Sequence, residues 1–136
     1  MVPDPLVIVD AANVVGSVPD GWWRDRRGAT ERLRDELRRV AANGLPADGV
    51  PGWATKPPLD LVLVVEGRAR SVDEVPGVRI VRADGSGDDT IVDLVRASAG
   101  PNRLVITADR GLRARGTALG AEVAGPHTVR QPRTAR

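Results

Sequence analysis

Apolar residues fall in short clusters separated by charged or breaker-rich stretches, and the clusters follow two different periods. Leu6-Val7-Ile8-Val9-Asp10 is an uninterrupted apolar run closed by an acid, which predicts a strand buried on both faces of a parallel sheet. Leu33, Leu37, Val40 and Ala41 recur at helical spacing between charged faces, so a helix is predicted over 29–42, stopped by Asn43-Gly44. Residues 44–58 hold three glycines and four prolines around Trp53, too many breakers for an ordinary connection, and predict a flap or mobile loop. The run from Leu59 to Val65, closed by Glu66, repeats the first pattern, and Val78-Arg79-Ile80-Val81 makes a shorter third strand. Ile91, Leu94 and Val95 give helical spacing to 88–99, which Gly100-Pro101 ends. A fourth strand over 104–109, a short helix around Leu112 and Leu119, and an edge strand over 121–124 complete the series, with no internal repeat.

Strands alternating with helices predict an α/β fold of three layers, a Rossmann-like central sheet of about five mostly parallel strands in the order 3-2-1-4-5. Open sheets of this kind bind their ligands outside the carboxyl ends of the strands, where the strand order reverses. Strands one and four are neighbours at that point, so Asp10 and Asp109 face one crevice. Glu66 is one strand away. Asp88 opens the helix that leads into strand four and is placed to overhang the same edge. Asp10 is followed by Ala11-Ala12-Asn13-Val14-Val15-Gly16, which reads as a loop.

Composition narrows the class. At 136 residues, 41% hydrophobic and 28% charged, residues 1–125 are expected to fold as a single domain. Residues 126–136, with three arginines, two prolines and one valine, are expected to be a disordered, weakly basic tail. No apolar run approaches the roughly 18 residues a membrane span needs. The absence of cysteine excludes a disulfide scaffold, a thiolate zinc site and a cysteine nucleophile. Met1 leads into Val2-Pro3-Asp4 and not into a basic, then apolar leader, so the cytoplasm is the expected location. The pI of 10.3 sits oddly with a net charge of +2. Lys56 is the only lysine among 20 basic residues and tyrosine and cysteine are absent, so few groups titrate between about pH 8 and 12 and a small excess of arginine carries the pI upward. The pI is therefore no sign of nucleic-acid binding, whereas the preference for arginine, whose planar fork matches phosphate, is suggestive.

Carboxylates converging at one strand edge repel one another and lose hydration, a cost offset by binding a hard cation, with Mg²⁺ or Mn²⁺ the natural guest. Each acid also has a purely structural reading. Asp109, before Arg110-Gly111-Leu112, suits a helix N-cap, a role Asp10 suits less well. Ser86-Gly87-Asp88-Asp89 matches a capping box in which Ser86 caps and Asp89 reaches back, leaving Asp88 as the preferred ligand and Asp89 as the second choice. Glu66 is either a further ligand or the partner of Arg68 or Arg70.

Val9-Asp10-Ala11-Ala12-Asn13-Val14, Gly85-Ser86-Gly87-Asp88-Asp89-Thr90-Ile91 and Val105-Ile106-Thr107-Ala108-Asp109-Arg110 resemble the three signature blocks of the NYN group of PIN-like ribonucleases. The resemblance runs from Leu6 to about Val123. The Asp-x-x-Asn block is also similar to that of the YacP-type bacterial endoribonucleases, in which an acid after strand two corresponds in position to Glu66. The resemblance implies a PIN/NYN fold and a metal-dependent nuclease, with Asp10, Asp88 and Asp109 holding the ion and Asn13 assisting. Gly21-Trp22-Trp23-Arg24-Asp25-Arg26-Arg27 lies outside these blocks.

Trp22 and Trp23 are candidates to stack on RNA bases while the flanking Arg24, Arg26 and Arg27, with Arg68, hold phosphates, or else to pack over the first helix in a core without Phe or Tyr. Arg110 is the arginine expected nearest a scissile phosphate, with a helix-face salt bridge as its alternative. Gly85-Ser86-Gly87 lacks the Lys-Ser/Thr of a phosphate loop, and His127 stands alone. Three functions follow: a Mg²⁺/Mn²⁺-dependent endoribonuclease acting on RNA, a nucleotide pyrophosphohydrolase or phosphatase using the same acids, or a catalytically silent RNA-binding module. A haloacid-dehalogenase-type phosphatase needs an aspartate where Ala12 stands. The pattern leaves open whether the chain forms a homodimer or joins a ribosome-associated partner.

Overall fold

A computed structural model describes residues 3–98 and 100–130. Five strands, β1 (Leu6–Asp10), β2 (Asp60–Val65), β3 (Val78–Arg82), β4 (Arg103–Ile106) and β5 (Glu122–Ala124), form one sheet in the order β3-β2-β1-β4-β5. Every neighbouring pair is parallel, with Asp10 beside Val64 and Val9 beside Ile106. Four helices accompany them: α1 (Ala11–Gly16), α2 (Arg26–Asn43), α3 (Gly87–Ala97) and α4 (Arg110–Ala118).

Side chains alternate across the pleat, and each face of the sheet owns a separate core. Val7, Val9, Leu61, Leu63 and Ile106 pack with Val14, Leu33 and Leu37 of α1 and α2. Leu6, Ile8, Val62, Val64 and Val105 pack with Ile91, Val92, Val95 and Leu112 of α3 and α4. Burial on both sides is the reason these strands read as continuous apolar runs.

Four departures from the sequence reading have specific physical causes. Residues 11–16 are helical, because the Asp10 carboxylate accepts from the Asn13 backbone N–H and caps the turn. Helix α2 begins three residues early: Asp25 accepts from Gly28 N at 2.9 Å, and a Cβ on Gly28 would lie 2.3 Å from that carboxylate. The expected flap is docked. Leu45 and Ala54 are buried and joined by a backbone hydrogen bond of 2.9 Å, while Trp53 Nε1 donates to Glu122 at 2.9 Å. Residues 126–130 of the expected tail are docked, since Thr128 and Val129 are buried and Arg130 pairs with Asp20. Residues 131–136 of that tail lie outside the described residues.

Candidate active site

Parity along the strands decides which acids meet. The even-numbered residues of β1 and β2 face α3 and α4, and so does Val105 of β4, so Asp10 and, by extension, Thr107 emerge on that side at the carboxyl edge. Asp10 is 6% exposed. One of its oxygens accepts from Thr107 Oγ1 at 2.9 Å and the other from Asn13 N at 3.4 Å. Burial pushes the Asp10 carboxyl up to about 6; the hydrogen bonds from Thr107 and Asn13 oppose the rise, and the charges of Asp88 and Glu66 add to it.

Asp88 stands in the first turn of α3, half-buried, and its carboxyl is also raised, first by burial and then by Asp109 and Glu66, with Arg115 opposing. The capping box does not form. Ser86 makes no side-chain cap, and the Gly87 N–H is met instead by the Glu66 carboxylate. A Cβ at Gly87 would lie 2.8 Å from Glu66 Oε2, so a side chain there would displace the Glu66 carboxylate. Asp89 turns away to Arg115 at 3.1 Å. That separates the doubled acids: Asp88 shares the field of the cluster, and Asp89 has its own cation. Glu66 pairs with neither Arg68 nor Arg70, and Arg70 lies 3.8 Å from Asp84.

On the β4 side, Asp109 caps α4 by accepting from Leu112 N at 2.9 Å, as its sequence context predicts. Asn13 accepts from Ala108 N at 2.8 Å and so pins the loop that carries Asp109. Thr107, fully buried, ties the site together: its hydroxyl donates to Asp10 and accepts from Asp109 N at 3.1 Å. Sequence reasoning passed over Thr107, although a threonine on the acid-facing parity, two residues before Asp109, is the available signal.

Among the described residues no three acidic or histidine side chains are gathered tightly enough to form a metal cage. The donor chemistry nevertheless fits a hard divalent ion. Asp10, Glu66, Asp88 and Asp109 offer only oxygen, repel one another, and have no guanidinium within salt-bridge distance among the described residues.

The tryptophans divide. Trp22 is half-buried against the α1/α2 core, and Trp23, 53% exposed, meets it edge-on at 5.9 Å. Arg24 lies over Trp23 at 5.8 Å and Arg26 over Trp22 at 5.4 Å. A cavity of about 360 Å³ opens beside the acids, with Trp22, Arg26 and Glu66 in its wall. Of the arginines flanking the tryptophans, Arg26 is the one that lines this cavity. Arg68, in the turn Gly67–Ser71, and Arg110, at the start of α4, are both exposed and make no ion pair among the described residues.

Fold and edge together define a doubly wound α/β protein whose candidate site lies at the switch between β1 and β4. A solved structure shares this architecture: Rae1 (YacP) from Bacillus subtilis superposes with a TM-score of 0.63 at 16% identity, over 90% of this chain and 70% of that one. No protein-family model and no curated protein matches the chain by sequence. Among the described residues no helix is long and apolar enough to cross a membrane.

Proposed function

We propose that the protein is a metal-dependent endoribonuclease of the PIN/NYN type. One observation carries the reading: carboxylates from separate stretches of chain act on one another at the carboxyl edge of the sheet, Asp88 and Glu66 on Asp10, and Asp109 and Glu66 on Asp88, with no guanidinium within salt-bridge distance of these four among the described residues, and burial raises Asp10 and Asp88 further. The motif resemblance to YacP-type endoribonucleases and the fold shared with Rae1 (YacP) support the same class.

Asp10, Asp88 and Asp109, with Glu66 beside them, would hold Mg²⁺ or Mn²⁺, which lowers the pKa of water and neutralises charge on a phosphoryl oxygen. Thr107 and Asn13 are positioning residues, fixing Asp10 and the Asp109 loop relative to each other. Arg110, next to Asp109 and without an acidic partner among the described residues, is free to take the phosphate next to the scissile bond. Asp89 is left out of the ligand set by its pairing with Arg115.

The test is incubation of the protein with single-stranded RNA and Mn²⁺. Internal cleavage that EDTA stops, and that Asp10→Asn and Asp88→Asn abolish, is expected. Cleavage indifferent to both would remove the site. Phosphate or pyrophosphate released from free nucleotides, with RNA left intact, would favour a nucleotide hydrolase.

A further inference from the structure

We infer that the cavity beside the acids is a nucleobase subsite, taking the base of a nucleotide adjacent to the scissile phosphate. The inference rests on the nuclease reading for the source of that base; of the acids only Glu66 enters its geometry.

The cavity holds about 360 Å³, at the small end of the roughly 300–1,000 Å³ typical of ligand pockets, which suits one nucleotide unit better than a larger ligand. Its lining is chemically sorted. Trp22 supplies an aromatic wall, Ala11 and Val15 an apolar floor, and Arg26 a cation already lying over the Trp22 ring at 5.4 Å. Glu66 and Ser86 complete the lining. A flat heteroaromatic ring matches this arrangement: its face stacks on the Arg26 guanidinium that already covers the indole, and its N–H edge meets the Glu66 carboxylate.

Trp22 is firmly placed for that task. It packs on the α1/α2 core, and a Cβ on Gly16 would meet its ring at 3.6 Å. Helix α2 presents Arg26 from its first turn, where the Arg26 carbonyl accepts from the buried Thr30 hydroxyl at 2.8 Å. Glu66 belongs both to this cavity and to the field of Asp10 and Asp88, so a base held here places its own phosphate at the acidic edge. The segment 21–27, outside the motif blocks, thereby gains a role in choosing where the chain is cut.

The experiment measures binding, in EDTA, of a fluorescently labelled hexa-adenylate and of six versions each with one abasic position, by anisotropy. At one position, loss of the base should weaken binding to the wild type about tenfold. Trp22→Ala should weaken the intact hexamer by a similar factor and show no further loss with that abasic version. Trp22→Phe should retain most of the affinity. Ala12 lines the same cavity and is exposed, so Ala12→Leu fills the mouth without touching the core and should reproduce the loss. Independence of Trp22 from every abasic position, or full affinity in Ala12→Leu, would overturn the subsite. Free AMP binding as tightly as the hexamer would overturn the assignment to RNA and point to a mononucleotide. Coupling found in a protein that cuts no RNA would remove the nuclease reading and leave the subsite standing, whereas cleavage without coupling would do the reverse.

Discussion

Replacing Asp10 by asparagine should stabilise the protein, and by an amount the structure fixes. The Asp10 carboxyl is raised from 3.8 to about 6, mainly by burial. Each unit corresponds to about 1.4 kcal/mol, so keeping Asp10 ionised at pH 8 costs about 3 kcal/mol relative to a neutral group at the same place. Asparagine has the size and neutrality of the protonated acid. Its oxygen can still accept from Asn13 N, but its amide would donate to Thr107 Oγ1, leaving the buried Thr107 hydroxyl proton without the acceptor it has in Asp10 and taking back part of the gain. Allowing for imperfect geometry, the gain should be about 1–3 kcal/mol at pH 8. Because the folded-state value lies above the unfolded one, the native protein binds the extra proton between about pH 6 and 4. The wild type therefore gains stability relative to the variant as pH falls through that window, and below about pH 4 the two should coincide. Urea unfolding of both proteins at pH 8, 6, 5 and 4, without divalent ions, measures the gap directly. A variant no more stable than the wild type at pH 8, or a gap that persists unchanged at pH 4, would refute the reasoning.

Other outcomes follow from the same contacts. Thr107→Val removes the hydroxyl shared by Asp10 and Asp109 N; it should cost about 1–3 kcal/mol and raise the Asp10 carboxyl further, as seen by carbon NMR titration. Asn13→Ala frees the loop at Ala108 and should lose about 1 kcal/mol in thermal melts while lowering Mn²⁺-dependent cleavage; unchanged cleavage would deny it a positioning role. Asp25→Ala deletes the α2 cap and should cost about 1 kcal/mol in urea unfolding with the wild-type denaturant slope. Mn²⁺ affinity measured by calorimetry should fall about tenfold per unit as pH drops below about 6, where protons compete for Asp10.

Much of the fold was legible because it depends on period. Runs such as Leu6–Asp10 fit a sheet covered on both faces, and the strand order then brings the carboxyl ends of β1 and β4, with Asp10 and the loop carrying Asp109, to one edge. What escaped the pattern depends on contacts made after chain reversal. Asp10 caps α1 because its own backbone leaves the sheet at that residue, turning an apparent loop into a helix. Glu66 answers Gly87 across twenty-one residues, displacing the local capping box that Ser86 and Asp89 suggest. Asp89 pairs with Arg115, from a different helix, while Asp88 lies in the field of Asp109 and Glu66. Trp53 and Glu122, sixty-nine residues apart, dock a loop whose glycines and prolines read as mobile. Local periodicity located the acids; long-range pairing separated those that share a field from those already neutralised.

The account centres on Asp10, Asp88 and Asp109 acting as one binding unit for a divalent ion. Titrating Mn²⁺ at pH 8 into the wild type and into the Asp10→Asn, Asp88→Asn, Asp109→Asn and Asp89→Asn variants, followed by calorimetry, tests that claim most directly. Wild type and Asp89→Asn should bind alike, and each of the other three should bind at least about tenfold more weakly. Equal binding by all five proteins, or none by the wild type at millimolar Mn²⁺, would contradict it.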